Sequence, residues 1–199
     1  MNQLPEEQHH NGDLAASDRG ALIGSIVSGV FGVAWSFWGS SGLPHFAALC
    51  AQLAATLLGL VLIIAAVKRL TRIAKVSDSP SRRQTLFSSR AYVIIVVAEV
   101  LAIFGGNVVL TVTGQDQFRI VLVSAIVGVH FLVFGRLFWS GFYWLGAAML
   151  ATATAGTIVG LSTDYANLIL VITGFGSAAS LFVAAIPPLR RNTPTPPAS

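Results

Sequence analysis

Six apolar stretches run through this 199-residue chain, at about 21–38, 46–67, 91–113, 118–137, 142–161 and 166–186. Each is 18–23 residues long, and a helix needs about 20 residues to cross a hydrocarbon core about 30 Å thick. Lipid offers no hydrogen bonds to a backbone, so only helices and closed barrels can span it. Barrel strands would be about half this length and would alternate strictly in polarity; these runs do neither. Only 10% of the residues are charged, against about 25% in an ordinary soluble domain. So little charge could not cover a water-facing surface. The sequence therefore specifies an all-α, polytopic membrane protein with a compact bundle of six transmembrane helices.

The flanks are polar. Residues 1–19 carry Glu6, Glu7, Asp13 and Asp18 against Arg19 alone, the reverse of a basic signal-peptide leader, so the first span is read as a retained helix. Residues 1–19 and the proline-rich 188–199 are expected to be disordered tails around a membrane domain at 20–187. His9 and His10 read as a solvated pair. The segment after the second span holds Lys68, Arg69, Arg72, Lys75, Arg82, Arg83 and Arg90; Arg19, Arg136, Arg190 and Arg191 fall on the same side, and Arg119 alone on the other. Lysine and arginine stay on the cytoplasmic side, which places both termini in the cytoplasm.

Short outer turns at 39–45, 114–117 and 162–165 make three antiparallel hairpins. They are joined inside by the basic loop 68–90 and a tight turn at Ser140-Gly141. Trp35 and Trp38 on the outer side, and Trp139, Tyr143 and Trp144 on the inner, read as headgroup anchors. Small residues recur every fourth position: Gly24, Ser28, Gly32 and Ser36 in the first helix, Ala148, Thr152, Gly156 and Gly160 in the fifth. In the sixth, Gly174 pairs with Ala178, and Gly176 with Ser180 and Ala184. Such residues let backbones approach closely, within one bundle or at a homo-oligomer face. Cys50, the single cysteine, reads as a small buried hydrophobe.

Two ionisable side chains stand at mid-depth, Glu99 and His130. Glu99 lies nine residues beyond Arg90, roughly 14 Å in at 1.5 Å per residue. His130 lies twelve residues after Phe118, roughly 18 Å in from the opposite face. Their helices are joined by a short turn, so a Glu–His contact is available. Ala102, Gly106 and Asn107 share the face of Glu99 at offsets of three, seven and eight, making Asn107 a third candidate for one intramembrane polar site. Arg136 can snorkel to the headgroups. Gln52, Thr56, Asn167 and Thr173 are candidates for polar contacts between helices. A carboxyl and an imidazole in contact can share a proton, as a relay or coupling site requires, or can simply lock two helices together.

The segments VGVHFLVFGRLFW in the fourth helix and FGVAWSFWG in the first carry a resemblance. They are similar to those of a group of small six-helix bacterial integral membrane proteins with a Gly-x-His-Phe segment in the fourth span. The matching positions are Gly128, His130, Phe131 and Arg136, with Glu99 in the preceding helix. The resemblance implies the six-span topology and marks His130.

Function then divides between two classes. One is a small-solute or proton-linked transporter of the plasma membrane; the other is a structural or accessory membrane protein. No span is interrupted by proline or a polar unwound segment, the usual pointer to a transport site. Enzymatic motifs are not visible: no HExxH, no Cys–His nucleophile arrangement and no acidic metal cluster. A second histidine to pair with His130 at a haem is lacking within the spans, so no cofactor and no metal are expected. The basic 68–90 loop should attract anionic lipid, at about 1 kcal/mol per Lys or Arg near the surface. Without a folded module or an aromatic platform, nucleic acid is not an expected partner.

Overall fold

A computed structural model describes residues 4–76, 90–137, 140–163 and 165–190. They form six helices: α1 (Leu4–Ser40), α2 (His45–Val76), α3 (Arg90–Val112), α4 (Arg119–Leu137), α5 (Gly141–Ser162) and α6 (Ala166–Arg190). Each contains a stretch long and apolar enough to cross a membrane. Among the described residues there is no strand. The chain is a multi-pass helical membrane protein.

Three helices overrun their expected spans; α6 runs through Pro187 and Pro188 to Arg190, into the tail expected to begin at 188. The apolar part of α1 begins near Asp18, yet the helix starts at Leu4, inside the segment expected to be a disordered tail. Pro5 early in the helix and Glu6-Glu7 beside the positive end of its dipole are helix-starting residues. Polarity keeps this segment out of lipid, but it does not prevent helix formation. Similarly, α2 continues through Lys68, Arg69, Arg72 and Lys75 to Val76, so the first third of the basic loop is helical. No glycine or proline stops it there. The remainder of that loop, at 77–89, lies outside the described residues, as do Trp139 and the tail at 191–199.

The turns close as helix chemistry demands. At the end of α3, Gly114 takes φ +70°. Its N–H donates to the Thr111 carbonyl, and the Gln115 N–H donates back to Leu110. This pairing satisfies carbonyls that the helix end would otherwise leave open. After α1, three successive tight bonds, Ser41 to Trp38, Gly42 to Gly39 and Leu43 to Ser40, reverse the chain.

In space α6 is the hub. It packs most extensively on α1, then on α5, and touches α2 and α4. α3 stands outside, against α4 and the short 3-10 turn Asp116–Phe118, and no residue of its apolar window is fully buried. The interfaces are made where glycine lets backbones meet. A methyl group on Gly39 would lie 3.0 Å from Gly174 Cα, and one on Gly174 would strike the Gly39 backbone. Between α4 and α5, a methyl on Gly146 would come within 2.6 Å of the Gly128 carbonyl. Gly156 faces Thr173, and Gly176 faces Thr152, across α5 and α6.

The α1 stripe holds only in part. Gly32 and Ser36 are buried, whereas Gly24 has nothing within 4 Å. Ser25 is buried instead and donates to the Ala185 carbonyl of α6 at 3.0 Å. A second donor, Arg69 Nη1, reaches the Pro188 carbonyl at 2.9 Å. Pro187 and Pro188 lie inside the last turns of α6 and lack the N–H that would serve carbonyls one turn back.

Two residues differ from expectation. Trp35 is 6% exposed and belongs to the core, stacked on Trp38 at 5.6 Å; only the half-exposed Trp38 suits a headgroup position. Cys50 is exposed on α2. An apolar neighbourhood in this sequence signals lipid contact as readily as protein contact.

Gly174→Ala should therefore lower the melting temperature in detergent, because overpacking a tight contact costs about 1–3 kcal/mol. Gly105→Ala, with nothing within 4 Å, should leave it unchanged or raise it. Equal melting of the two variants would contradict the close approach of α1 and α6.

Candidate functional site in the α3–α4 interface

Glu99 is the tenth residue of the 23-residue α3, near its middle. Tyr92, Ile95, Val96, Glu99, Ile103, Gly106, Asn107 and Leu110 are the more buried positions, recurring every three or four residues. They define the face that α3 turns to α4. On α4, Leu122 fills the space opposite Gly106, and two turns further on stands His130. The short hairpin turn fixes this register.

The pair does meet. Nδ1 of His130 lies 2.9 Å from Oε2 of Glu99, with the side chains 10% and 18% exposed. The oxygen lies off the direction of an Nδ1–H bond, so Nδ1 has no aligned hydrogen-bond partner among the described residues. This is a close carboxyl–imidazole contact rather than a straight hydrogen bond, the loose geometry that small helix movements can tighten. A second ion pair, Asp116–Arg119 at 2.6 Å, is exposed at the hairpin end.

Aromatic rings cover one side of the pair. Phe134, one turn beyond His130, lies 4.0 Å from its ring, and Phe131 meets it edge-on at 5.5 Å. Tyr92 and Phe142 stack on Phe134 and Phe131 respectively. These rings stand between the pair and the ends of α3 and α4 that carry Arg90 and Arg136. A second flank is open. Ala98, Ala102, Ala125, Val129 and Val133 border a cavity of about 450 Å³ with Glu99 and His130 in its wall.

Asn107 does not join this site. Eight residues beyond Glu99, it is roughly 12 Å further along the axis, and its amide donates to Ile103 of its own helix at 2.8 Å. It borders a separate cavity at the hairpin end with Thr111 and Arg119. Of the other polar candidates, Gln52 binds across to Ser40 of α1 at 2.8 Å. Thr56 donates to its own helix. Asn167 is exposed, and Thr173 is fully buried with its hydroxyl unpartnered among the described residues. Arg136 is exposed near the end of α4, where its guanidinium can reach headgroups.

A polar cluster not anticipated from the sequence joins α4, α5 and α6. Ser124 and Ser177 Oγ lie 2.9 Å apart, Thr152 Oγ1 is 3.3–3.4 Å from both, and Ser124 and Thr152 both donate to the Met149 carbonyl. Ser124 precedes Gly128 by four residues, the small-residue spacing that could have signalled it. Among the described residues no group of three His, Cys, Asp or Glu is placed to hold a metal ion. No family model, curated protein or solved structure matches the chain.

In a double-mutant cycle, Glu99→Leu and His130→Leu should show a coupling energy of about 1 kcal/mol or more in reversible unfolding, as contacting residues do. Asn107→Leu should add independently to either. Coupling of Asn107 to Glu99 as strong as that of His130 would contradict their separation into two cavities.

Proposed function

We propose that this chain is a transporter of a small solute or of protons, and that Glu99 and His130 carry the proton that drives or accompanies each cycle. The observation supporting this reading is the 2.9 Å contact between two scarcely exposed ionisable groups beside a cavity. Such groups within a bilayer are costly unless used or paired. One proton shared by the pair has two placements: carboxylic acid with neutral imidazole, or carboxylate with imidazolium. Both have the same net charge, so the transfer from Oε2 to Nδ1 moves no charge out of the site. The imidazole's second nitrogen can then pass a proton on.

α3 is suited to be the moving part. Its contacts with the bundle run through α4 and the neighbouring 3-10 turn, so a small tilt would open or tighten the pair without disturbing the α1–α6 core. The bundle sits in the plasma membrane with both termini cytoplasmic, a reading supported by the eleven of twelve basic residues on that side. Lys68 and Arg72, exposed at the end of α2, are positioned to meet anionic lipid.

An accessory role is favoured by a different observation: all six apolar windows run as continuous helix, without the broken segment common at transport sites. Proteoliposomes separate the two. Proton or solute flux should appear with wild-type protein and fall by about 100-fold or more in Glu99→Gln and His130→Ala, a barrier increase of about 2.7 kcal/mol. Full flux in both variants with only lowered melting temperature would make the pair structural. Absence of flux under every imposed gradient would favour the accessory role.

A further inference from the structure

The cavity beside Glu99 and His130 differs from an aqueous vestibule in where it opens. Ile94, Val129 and Val133 on its rim are 66%, 51% and 38% exposed, and Ala98 and Ala102 are exposed as well. All five lie within the membrane-long windows of α3 and α4. A surface exposed at that depth faces hydrocarbon. We propose that this groove is a binding site entered sideways from the bilayer, and that its ligand is a neutral, lipid-soluble molecule with a hydroxyl or carbonyl head that meets the Glu99–His130 pair. The inference rests on the transport reading for the fate of the bound ligand, but the site itself stands on geometry.

Three features fix the ligand class. The walls are aliphatic, so an apolar body is matched and a water-soluble solute is not. The polar groups offer both a donor and an acceptor, since a carboxyl and an imidazole sharing one proton carry no net charge. A cation would bind only after that proton left, and among the described residues no Phe, Tyr or Trp ring lines the groove to hold a quaternary ammonium. The volume, about 450 Å³, lies in the range of small-molecule sites, about 300–1,000 Å³. His130 is nine-tenths buried with Nδ1 unaligned to any partner among the described residues, so a ligand head that draws the pair into line adds an interaction the free site lacks.

The larger cavity at the hairpin end is a weaker candidate. Its polar groups are already engaged, Asn107 with Ile103 and Arg119 with Thr111 and Asp116.

The test uses the full chain in phospholipid vesicles with two photoreactive probes, a diazirine-bearing dodecanol and the matching dodecane without a hydroxyl. Labelled residues are mapped by mass spectrometry. The alcohol should label 94–102 and 125–133 saturably and be displaced by excess dodecanol, whereas the alkane should label lipid-facing residues without saturation. Ala98→Trp and Val129→Phe, either of which fills the groove, should abolish the saturable component, with Leu57→Trp on exposed α2 as the control. Glu99→Gln and His130→Phe should weaken it about tenfold, the factor carried by loss of one hydrogen bond. Thermal melting of each variant identifies any that fail to fold. Identical labelling by alcohol and alkane, or saturable labelling that survives both groove-filling variants, overturns the proposal. Flux without saturable labelling overturns this inference and leaves the transport reading. Saturable labelling without flux does the opposite.

Discussion

Between helices already immersed in lipid, apolar side chains gain nothing by leaving one hydrocarbon surface for another, so association depends on dispersion, close backbone approach and interhelical hydrogen bonds. In this bundle that requirement is met most directly where Gly39 of α1 lies against Gly174 of α6, with Ser25 donating to the Ala185 carbonyl near the far end of the same interface. Gly128–Gly146 and Gly156–Thr173 extend the pattern through α5 to α4. The helices that make these contacts form a fixed core. Among its described residues α3 has one tight glycine contact, Gly106 against Leu122, besides the exposed Arg119–Thr111 hydrogen bond at the hairpin end, and it is the helix that bears Glu99.

This division of labour gives the polar pair its character. A carboxyl held on a loosely packed helix can approach or leave an imidazole on a firmly packed one with little cost elsewhere. The rings of Phe131 and Phe134, the latter backed by Tyr92, cover one side of His130 while the opposite flank opens into the cavity. Access to the pair is therefore asymmetric in two directions, along the membrane normal and across it.

How much of this was legible in the sequence varies with the physics involved. The six spans were, because hydropathy and length decide membrane insertion without reference to partners. The matched depth of Glu99 and His130 was, because a short turn converts residue counts into depth; whether they touch was not. Rotation about each helix was less so. Asn107, eight residues from Glu99, is about 80° away around the axis at 100° per residue and well along it, which is enough to put it in another cavity. A stripe repeating every fourth residue drifts by about 40° per step, so Gly24 and Ser36 cannot face one partner, and Gly24 does not. The pairing of α1 with α6, and the Ser124–Thr152–Ser177 cluster that depends on helix order, needed the third dimension. Trp35 and Cys50 show the commonest ambiguity in such chains: an apolar neighbourhood does not say whether protein or lipid supplies it.

The contact between α1 and α6 also bears on how the bundle is made. These are the first and the last of the six helices to leave the ribosome, and the interface that most firmly fixes the core joins them. Until α6 is inserted, the Gly39 backbone of the nascent α1 lacks its close partner, and α1 is held by α2 through Gly29 and Gly59 and the Gln52–Ser40 hydrogen bond. Assembly is consequently a closing step rather than a gradual accretion. A chain that stalls after α5 would carry the Glu99–His130 hairpin packed on α5 but lack the α1–α6 glycine seam that closes the core.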